Sequence, residues 1–503
     1  MNKNGIPRYL SFVPVLAVLA ASIPGSGMGS LRLDAAFVGP TAAQTAPEAR
    51  AARIEKELLP GILITGRPLA SATLAERMAS LNIPGVSIAV INGGAIEWAK
   101  GYGLAEAGST TPVTTRTLFQ AASISKSLAA LAALRLVEQG KLGLDEDINT
   151  RLSSWKVPDN ELTRTEKVTL RRLLSHTAGL TVHGFGGYPA DAAVPTVIQV
   201  LNGEKPANSA AVRVDVVPGS LWRYSGGGYT VMQLLLTDVT GKPFPALLSE
   251  LVLKPLGLGD STYKQPLPAE KHGVAATGHR PDGKLIPGRY HTYPEMAAAG
   301  LWTTPTDLAR FLLEVQRALH GQSSVLTTEA ARRMTTVEKE GYGLGLSLQG
   351  TGPTLSFGHG GSNEGFRCQM TAFVERGQGA VVMTNGDQGD LLGPEILRAV
   401  AREYDWPSYQ PKVKTTVRVV PEALAALTGR YELRPGHTIM ISLEGETLFV
   451  VDGQERIELN PESETRFFEL VEGTTVDFLK GQDGKATHMV IEGRIKAPRV
   501  GEK

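Results

Sequence analysis

The sequence predicts a mixed α/β (α+β) protein. It has an antiparallel sheet flanked by helices, a helical subdomain facing that sheet, and a small all-β domain at its C-terminal end. Three observations carry this expectation. Two hairpin patterns lie at opposite ends of a long central region. Between them, runs of strong helix formers are mixed with short apolar strands. Past a proline-marked linker, Trp406-Pro407-Ser408-Tyr409-Gln410-Pro411, the pattern turns to closely spaced strands.

The first hairpin reads Gly85-Val86-Ser87-Ile88-Ala89-Val90-Ile91, a turn at Asn92-Gly93-Gly94, then Ala95-Ile96-Glu97-Trp98-Ala99. Asparagine and glycine tolerate the left-handed backbone that so tight a turn requires. Residues 127–136, rich in leucine and alanine, predict a helix, and residues 230–239 predict another. The second hairpin sets residues 370–374 against 380–384 around Glu375-Arg376-Gly377-Gln378-Gly379, and a helix is expected over 394–404. Beyond the linker, residues 438–442, 447–451, 467–470 and 475–478 predict a small antiparallel barrel or sandwich. No motif of chemistry lies in that segment, so a stabilising or substrate-shaping role is expected of it.

At 503 residues the chain is long for one compact domain, and 42% hydrophobic residues support sizeable cores. A formal charge of +1 without a basic cluster argues against nucleic acid or an anionic surface as partner. Lys3 and Arg8 precede an apolar run over 10–21, too short to span a bilayer, and Ala43 is a plausible cleavage point. Residues 1–43 are therefore expected to be an export signal, leaving a net charge of about −1 and no stable membrane insertion. Cys368 is the only cysteine, which allows no intrachain disulfide and suits a bacterial periplasm or secretion.

Ser123-Ile124-Ser125-Lys126 opens the first of these helices. A lysine three positions after a serine lies one turn along the same helical face, so its amine stands beside the hydroxyl. Covalent acyl transfer from a serine needs that pairing. The same spacing recurs at Ser153-Ser154-Trp155-Lys156 and Ser261-Thr262-Tyr263-Lys264, but prolines follow both, and neither opens a helix. Two further constellations accompany Ser123. Tyr224-Ser225-Gly226-Gly227-Gly228 puts a phenol next to three glycines at a helix start. There the phenol would exchange a proton if nearby cations lowered its pKa. Phe357-Gly358-His359-Gly360-Gly361-Ser362 places a histidine and two glycines on an expected strand along whose edge a substrate would lie.

In this order the motifs resemble those of the serine β-lactamase and penicillin-binding-protein superfamily, in its class C and esterase-like branch. Leu173-Leu174-Ser175-His176-Thr177-Ala178-Gly179-Leu180 and Ala299-Gly300-Leu301-Trp302-Thr303-Thr304-Pro305 strengthen the likeness, which spans about residues 65–405. The resemblance implies a β-lactamase-like fold over 44–410 and, from several relatives, a lipocalin-like domain over 411–503. It also implies Ser123, Lys126 and Tyr224 as catalytic residues, with His359, Gly360, Gly361 and Ser362 lining the substrate and oxyanion site. The backbone N–H groups of Ser123 and Ser362 would hold the oxyanion. Glycines beside His359 are expected to keep side chains clear of the substrate.

Two departures from the family pattern bear on substrate. Gly226 stands where relatives carry an asparagine, which is expected to leave an unfilled polar contact beside Lys126. His359 stands where penicillin-recognising members carry lysine, and a neutral imidazole attracts a carboxylate weakly. Arg367 is a candidate for replacing that charge. The expected activity is therefore an exported serine hydrolase that acylates Ser123 with small esters, amides or peptides. D-amino-acid peptidase, carboxypeptidase or β-lactamase activity is the alternative, and a non-catalytic binding homologue a third reading. No metal or other cofactor is expected, since no H-E-x-x-H or thiolate cluster occurs. His176 reads as structural, at a helix end closed by Gly179.

Overall fold

The protein is described from a computed structural model covering residues 47–501 except 69–70, 454 and 471–472; the expected export signal at 1–43 lies outside the described residues. Among the described residues no helix is long and apolar enough to cross a membrane.

Gly93 and Gly94 both take positive φ (59° and 74°), so the first hairpin closes with the left-handed turn its sequence demands. Its strands are Gly85–Asn92 and Ala95–Gly103, and they belong to a six-stranded antiparallel sheet whose spatial order is Ala95–Gly103, Gly85–Asn92, Gly379–Thr384, Phe366–Phe373, Ser356–Asn363 and Ser347–Gln349. Ile88 stands opposite Val382, so segments far apart in sequence share the centre of the sheet as expected. One face is covered by helices Pro47–Lys56 and Gly389–Glu403 over Val86, Ile88, Val90, Phe373 and Val382. That last helix begins at Gly389 rather than Pro394. The proline sits inside it and costs only the bond to the carbonyl of Asp390.

The other face meets a larger core that runs into the helical subdomain. Helix Ser125–Glu138 lies at its heart, buried almost all round because leucine and alanine occupy nearly every position. Helices Gly226–Thr240 and Pro305–Leu319 pack into the same core.

The C-terminal segment is a closed barrel of eight antiparallel strands, from Gly429–Arg434 to Ile495–Val500, with Tyr431 opposite Arg499 at the closing seam. Closure leaves no exposed edge. Tyr431, Ile441, Leu448, Phe467, Phe478 and Met489 fill its interior. Four strands had no sequence expectation: Gly429–Arg434, Glu455–Pro461, Ala486–Ile491 and Ile495–Val500. Charged outward residues such as Arg430, Glu432 and Lys496 interrupt their apolar pattern. The barrel meets the rest of the chain through the segment at 62–67. Arg67 donates to Asn460 (3.4 Å), Lys414 pairs with Glu462 (3.1 Å), and Ile62 packs on Gly473.

Candidate active site

Ser123 lies in a single 3₁₀ turn, Ala122–Ile124, which leads directly into helix Ser125–Glu138. Ala122 holds φ at +49°, a left-handed conformation that costs a residue with a β-carbon about 1–3 kcal/mol. The surroundings enforce it. Ala121 donates to the Leu301 carbonyl (2.8 Å), the Ser125 hydroxyl donates to the Ala122 carbonyl (2.5 Å), and Tyr263 donates to the Ser125 carbonyl (2.6 Å). The turn is thus fixed from three sides, and Ser123 emerges from it half-buried.

Lys126 is 2% exposed, and its Nζ donates to the Ser123 hydroxyl (3.1 Å) and to the Ala298 carbonyl (2.8 Å). Among the described residues no carboxylate balances it, so burial pulls the ammonium down to about 7. Tyr224 precedes helix Gly226–Thr240, and Nζ of Lys126 sits 4.9 Å from its ring centroid. The condition for its phenol to lose a proton, a pKa lowered by nearby cations, is not met. Burial drives its pKa well above the ordinary range, and the hydrogen-bonding contact with Ser123 offsets only part of that. At neutral pH Tyr224 is therefore a proton donor, and Lys126 is the group able to accept.

The strand Ser356–Asn363 forms the other wall. Its neighbour Ser347–Gln349 pairs only as far as Gly358, which leaves the edge from His359 to Ser362 unpaired beside the nucleophile turn. Gly361 must be glycine for a reason other than substrate clearance, because a β-carbon there would lie 2.2 Å from the Ala121 carbonyl. Gly360 faces the opposite side of the strand, toward a cavity of about 230 Å³ lined in part by Ser356, Thr371, Leu397 and Tyr409. Asn363 ties the strand end to Gln120 (2.9 Å) and the Ala299 carbonyl (3.2 Å), locking both walls together.

His359 is 9% exposed, and its Nε2 meets the Tyr342 hydroxyl at 3.1 Å. Burial, with the Lys126 charge nearby, lowers its pKa to about 4, so the imidazole is neutral at pH 7. Arg367 does not replace a lost cation. It is paired with Asp387 and Asp390 (both 2.9 Å) and donates to the Asn363 carbonyl (2.6 Å).

Two expectations about the second motif also change. Gly226 leaves no gap: a β-carbon there would meet the His183 carbonyl at 3.0 Å and Phe185 at 3.1 Å, so loop 183–185 occupies that space. His176 is more than a helix terminus. It sits past the end of helix Leu170–Leu174 with φ +59°, accepts from the Ser225 N–H (3.1 Å), and stacks on Tyr224 at 4.2 Å between centroids. Its left-handed conformation carried no sequence signal, since histidine does not announce one as glycine does. Tyr229, Tyr342 and Trp222 complete an aromatic enclosure around Lys126 and Tyr224. The other two S-x-x-K matches lie outside helices: Ser153 and Ser154 donate to Asp238, and Ser261 to Asp307.

Comparison with known proteins agrees with this fold. The chain is 24% identical over 459 residues to Penicillin-binding protein 4* of Bacillus subtilis (strain 168), covering 84% of this chain and 95% of that protein. It is 28% identical over 335 residues to Esterase EstB of Burkholderia gladioli, covering 59% of this chain and 81% of that protein. The fold matches the octameric penicillin-binding protein homologue from Pyrococcus abyssi with a TM-score of 0.58 at 24% identity, over 84% of this chain and 98% of that one. Residues 414–500 match a domain of unknown function (DUF3471), which spans the barrel. Because the Beta-lactamase family model covers residues 70–404, and with them the Ser123 turn, the Tyr224 turn and the His359 strand, the chain belongs to the beta-lactamase family and is a serine hydrolase.

Proposed function

We propose that the protein hydrolyses small uncharged esters, and amides of similar size, through an acyl-enzyme on Ser123. The observation that carries this reading is the 3.1 Å contact between Ser123 and a buried Lys126 whose pKa burial pulls down to about 7. Ser123 Oγ attacks the acyl carbon while its proton passes to Nζ of Lys126. The oxyanion forms against the N–H groups of Ser123 and Ser362. Collapse expels the leaving group with a proton from Tyr224, and the Lys126 ammonium reprotonates the phenolate. Water then attacks the acyl-enzyme by the reverse relay, releasing the acid.

The choice of uncharged substrates rests on the strand wall. His359 is neutral and Arg367 is engaged by two aspartates, so neither offers a cation to a substrate carboxylate. Peptidase activity toward D-amino-acid peptides is the second reading, supported by the likeness to a penicillin-binding protein. A fluorophosphonate probe, p-nitrophenyl butyrate and nitrocefin are the test, with any adduct located by mass spectrometry. An adduct on Ser123 with ester turnover and slow nitrocefin cleavage supports the ester reading, and rapid nitrocefin cleavage overturns it. Export by the signal at 1–43 belongs to the same proposal. N-terminal sequencing of protein recovered from outside the cytoplasm would begin near Gln44 if it holds, and at Met1 if it does not.

A further inference from the structure

One part of the sheet is left unfilled behind the catalytic strand. Ser356, Gly358 and Gly360 stand directly opposite Phe373, Thr371 and Gln369, so all six share the face that helix Gly389–Glu403 covers. That helix packs over Phe366–Phe373 and Gly379–Thr384 and presents Pro394 and Leu397 at its rim. A serine and two glycines on the next strand project nothing long enough to fill the gap beside it. What remains is the cavity of about 230 Å³, reached from solvent past the exposed Gln349 and Gly360. Tyr409, from the linker to the barrel, forms another wall, with φ at +63° and its hydroxyl hydrogen-bonded to Thr371. The carboxamide of Gln369 lies against Gly393, where a β-carbon would come within 3.2 Å of its Oε1. Among the described residues no hydrogen bond engages that carboxamide. The lining holds no Asp, Glu, Lys or Arg. Its one imidazole, His359, bonds Tyr342 and is uncharged at pH 7.

We infer that this cavity is a second ligand site, separate from Ser123, for a small uncharged molecule that joins an apolar ring to an amide group. An amide gives the Gln369 carboxamide both a carbonyl to donate to and an N–H to accept from. Pro394 and Leu397 offer the ring an apolar wall. The size agrees, since an apolar cavity of about 150 Å³ holds benzene, and the larger volume here leaves room for one amide as well. A charged ligand would lose its hydration without gaining an ionic partner. Occupant and substrate would lie on opposite faces of one strand, because Gly358 and Gly360 floor the cavity while His359 points to the catalytic side.

Ligand-observed NMR titrations with benzamide, acetophenone and benzoate test it. Benzamide engages both ends of the Gln369 carboxamide, acetophenone lacks the N–H, and benzoate is charged. Benzamide is expected to bind with a Kd of about 1 mM, the range open to so small a ligand. One neutral hydrogen bond is worth about tenfold in affinity, so acetophenone should bind about tenfold more weakly, and benzoate no better than acetophenone. Gln369→Leu should bring benzamide down to the level of acetophenone while thermal midpoint and ester turnover are kept. Gln349→Trp, an exposed position at the mouth, should weaken both compounds together. Binding to the wild type should persist when Ser123 carries a fluorophosphonate adduct. Absence of saturable benzamide binding overturns the inference, as does a preference over acetophenone that survives Gln369→Leu. Affinity unchanged in Gln349→Trp also counts against it. Loss of binding on the Ser123 adduct overturns it too, because the ligand would then sit in the catalytic cleft.

Discussion

The turn that carries Ser123 and the C-terminal barrel both bury large side chains, but of different kinds. Around Ser123 the protein buries Lys126, His176, His359, Tyr229 and Tyr342 and half-buries Tyr224, with left-handed backbone at Ala122 and His176. Inside the barrel it buries Ile439, Ile441, Leu448, Phe467, Phe478 and Met489, with Tyr431 satisfied by the Leu427 carbonyl (2.6 Å). Apolar burial adds stability in proportion to area removed from water. Burial of an uncompensated amine does the reverse, and what it yields is reactivity near neutral pH. One region of the chain stabilises the fold, while the other holds strain and shifted pKa values that the fold must support.

Substitutions on each side sharpen that contrast. The largest effect is expected from Ser123→Ala, which should abolish covalent labelling and cut ester turnover by at least about 10³-fold, with the thermal midpoint preserved. Turnover at the wild-type rate in this variant would remove the mechanism.

Lys126→Ala should lower kcat/KM by about 10²–10⁴-fold. The wild-type profile should also rise tenfold per pH unit below about 7 and level off above it, because only the neutral amine accepts the Ser123 proton. Stability should follow the same group. Between about 7, where folded Lys126 titrates, and about 10.4, where the unfolded residue does, the unfolded chain binds more protons, so stability rises with pH. Lys126→Met should flatten that rise, as measured by urea unfolding at several pH values.

The barrel should respond in the opposite sense. Phe467→Ala is expected to cost about 3–5 kcal/mol of barrel stability, visible in denaturant unfolding. Folded protein of this variant should still turn over p-nitrophenyl butyrate. Loss of turnover in step with barrel stability would show that the two regions are coupled. The smallest effect concerns Gly226→Asn. A β-carbon 3.0 Å from the His183 carbonyl forces the loop to shift, at about 1–3 kcal/mol, lowering both thermal midpoint and turnover. An unchanged midpoint would mean that loop 183–185 is not held as described.

Much of this was legible from residues close in sequence. The Asn92-Gly93-Gly94 turn, the alanine-leucine helix after Ser123 and the spacing of Lys126 each follow from local backbone preferences. What stayed hidden depended on partners distant in the chain. Nothing near Arg367 announces Asp387 and Asp390, and nothing near Gly226 announces the carbonyl of His183. The pKa of Tyr224 is hidden for the same reason. Its sequence leaves open whether nearby cations lower it, and the burial produced by His176, Trp222 and Tyr342 decides the direction.

The sequence by itself determined the mixed architecture, the order of the three motifs and the pairing of Ser123 with Lys126, because periodicity and helical spacing act over a few residues. Only the tertiary structure decided which groups are charged, which glycines are obligatory and what stands beside Tyr224. Those depend on burial and close approach, and both are set by chain segments that meet only once the protein has folded.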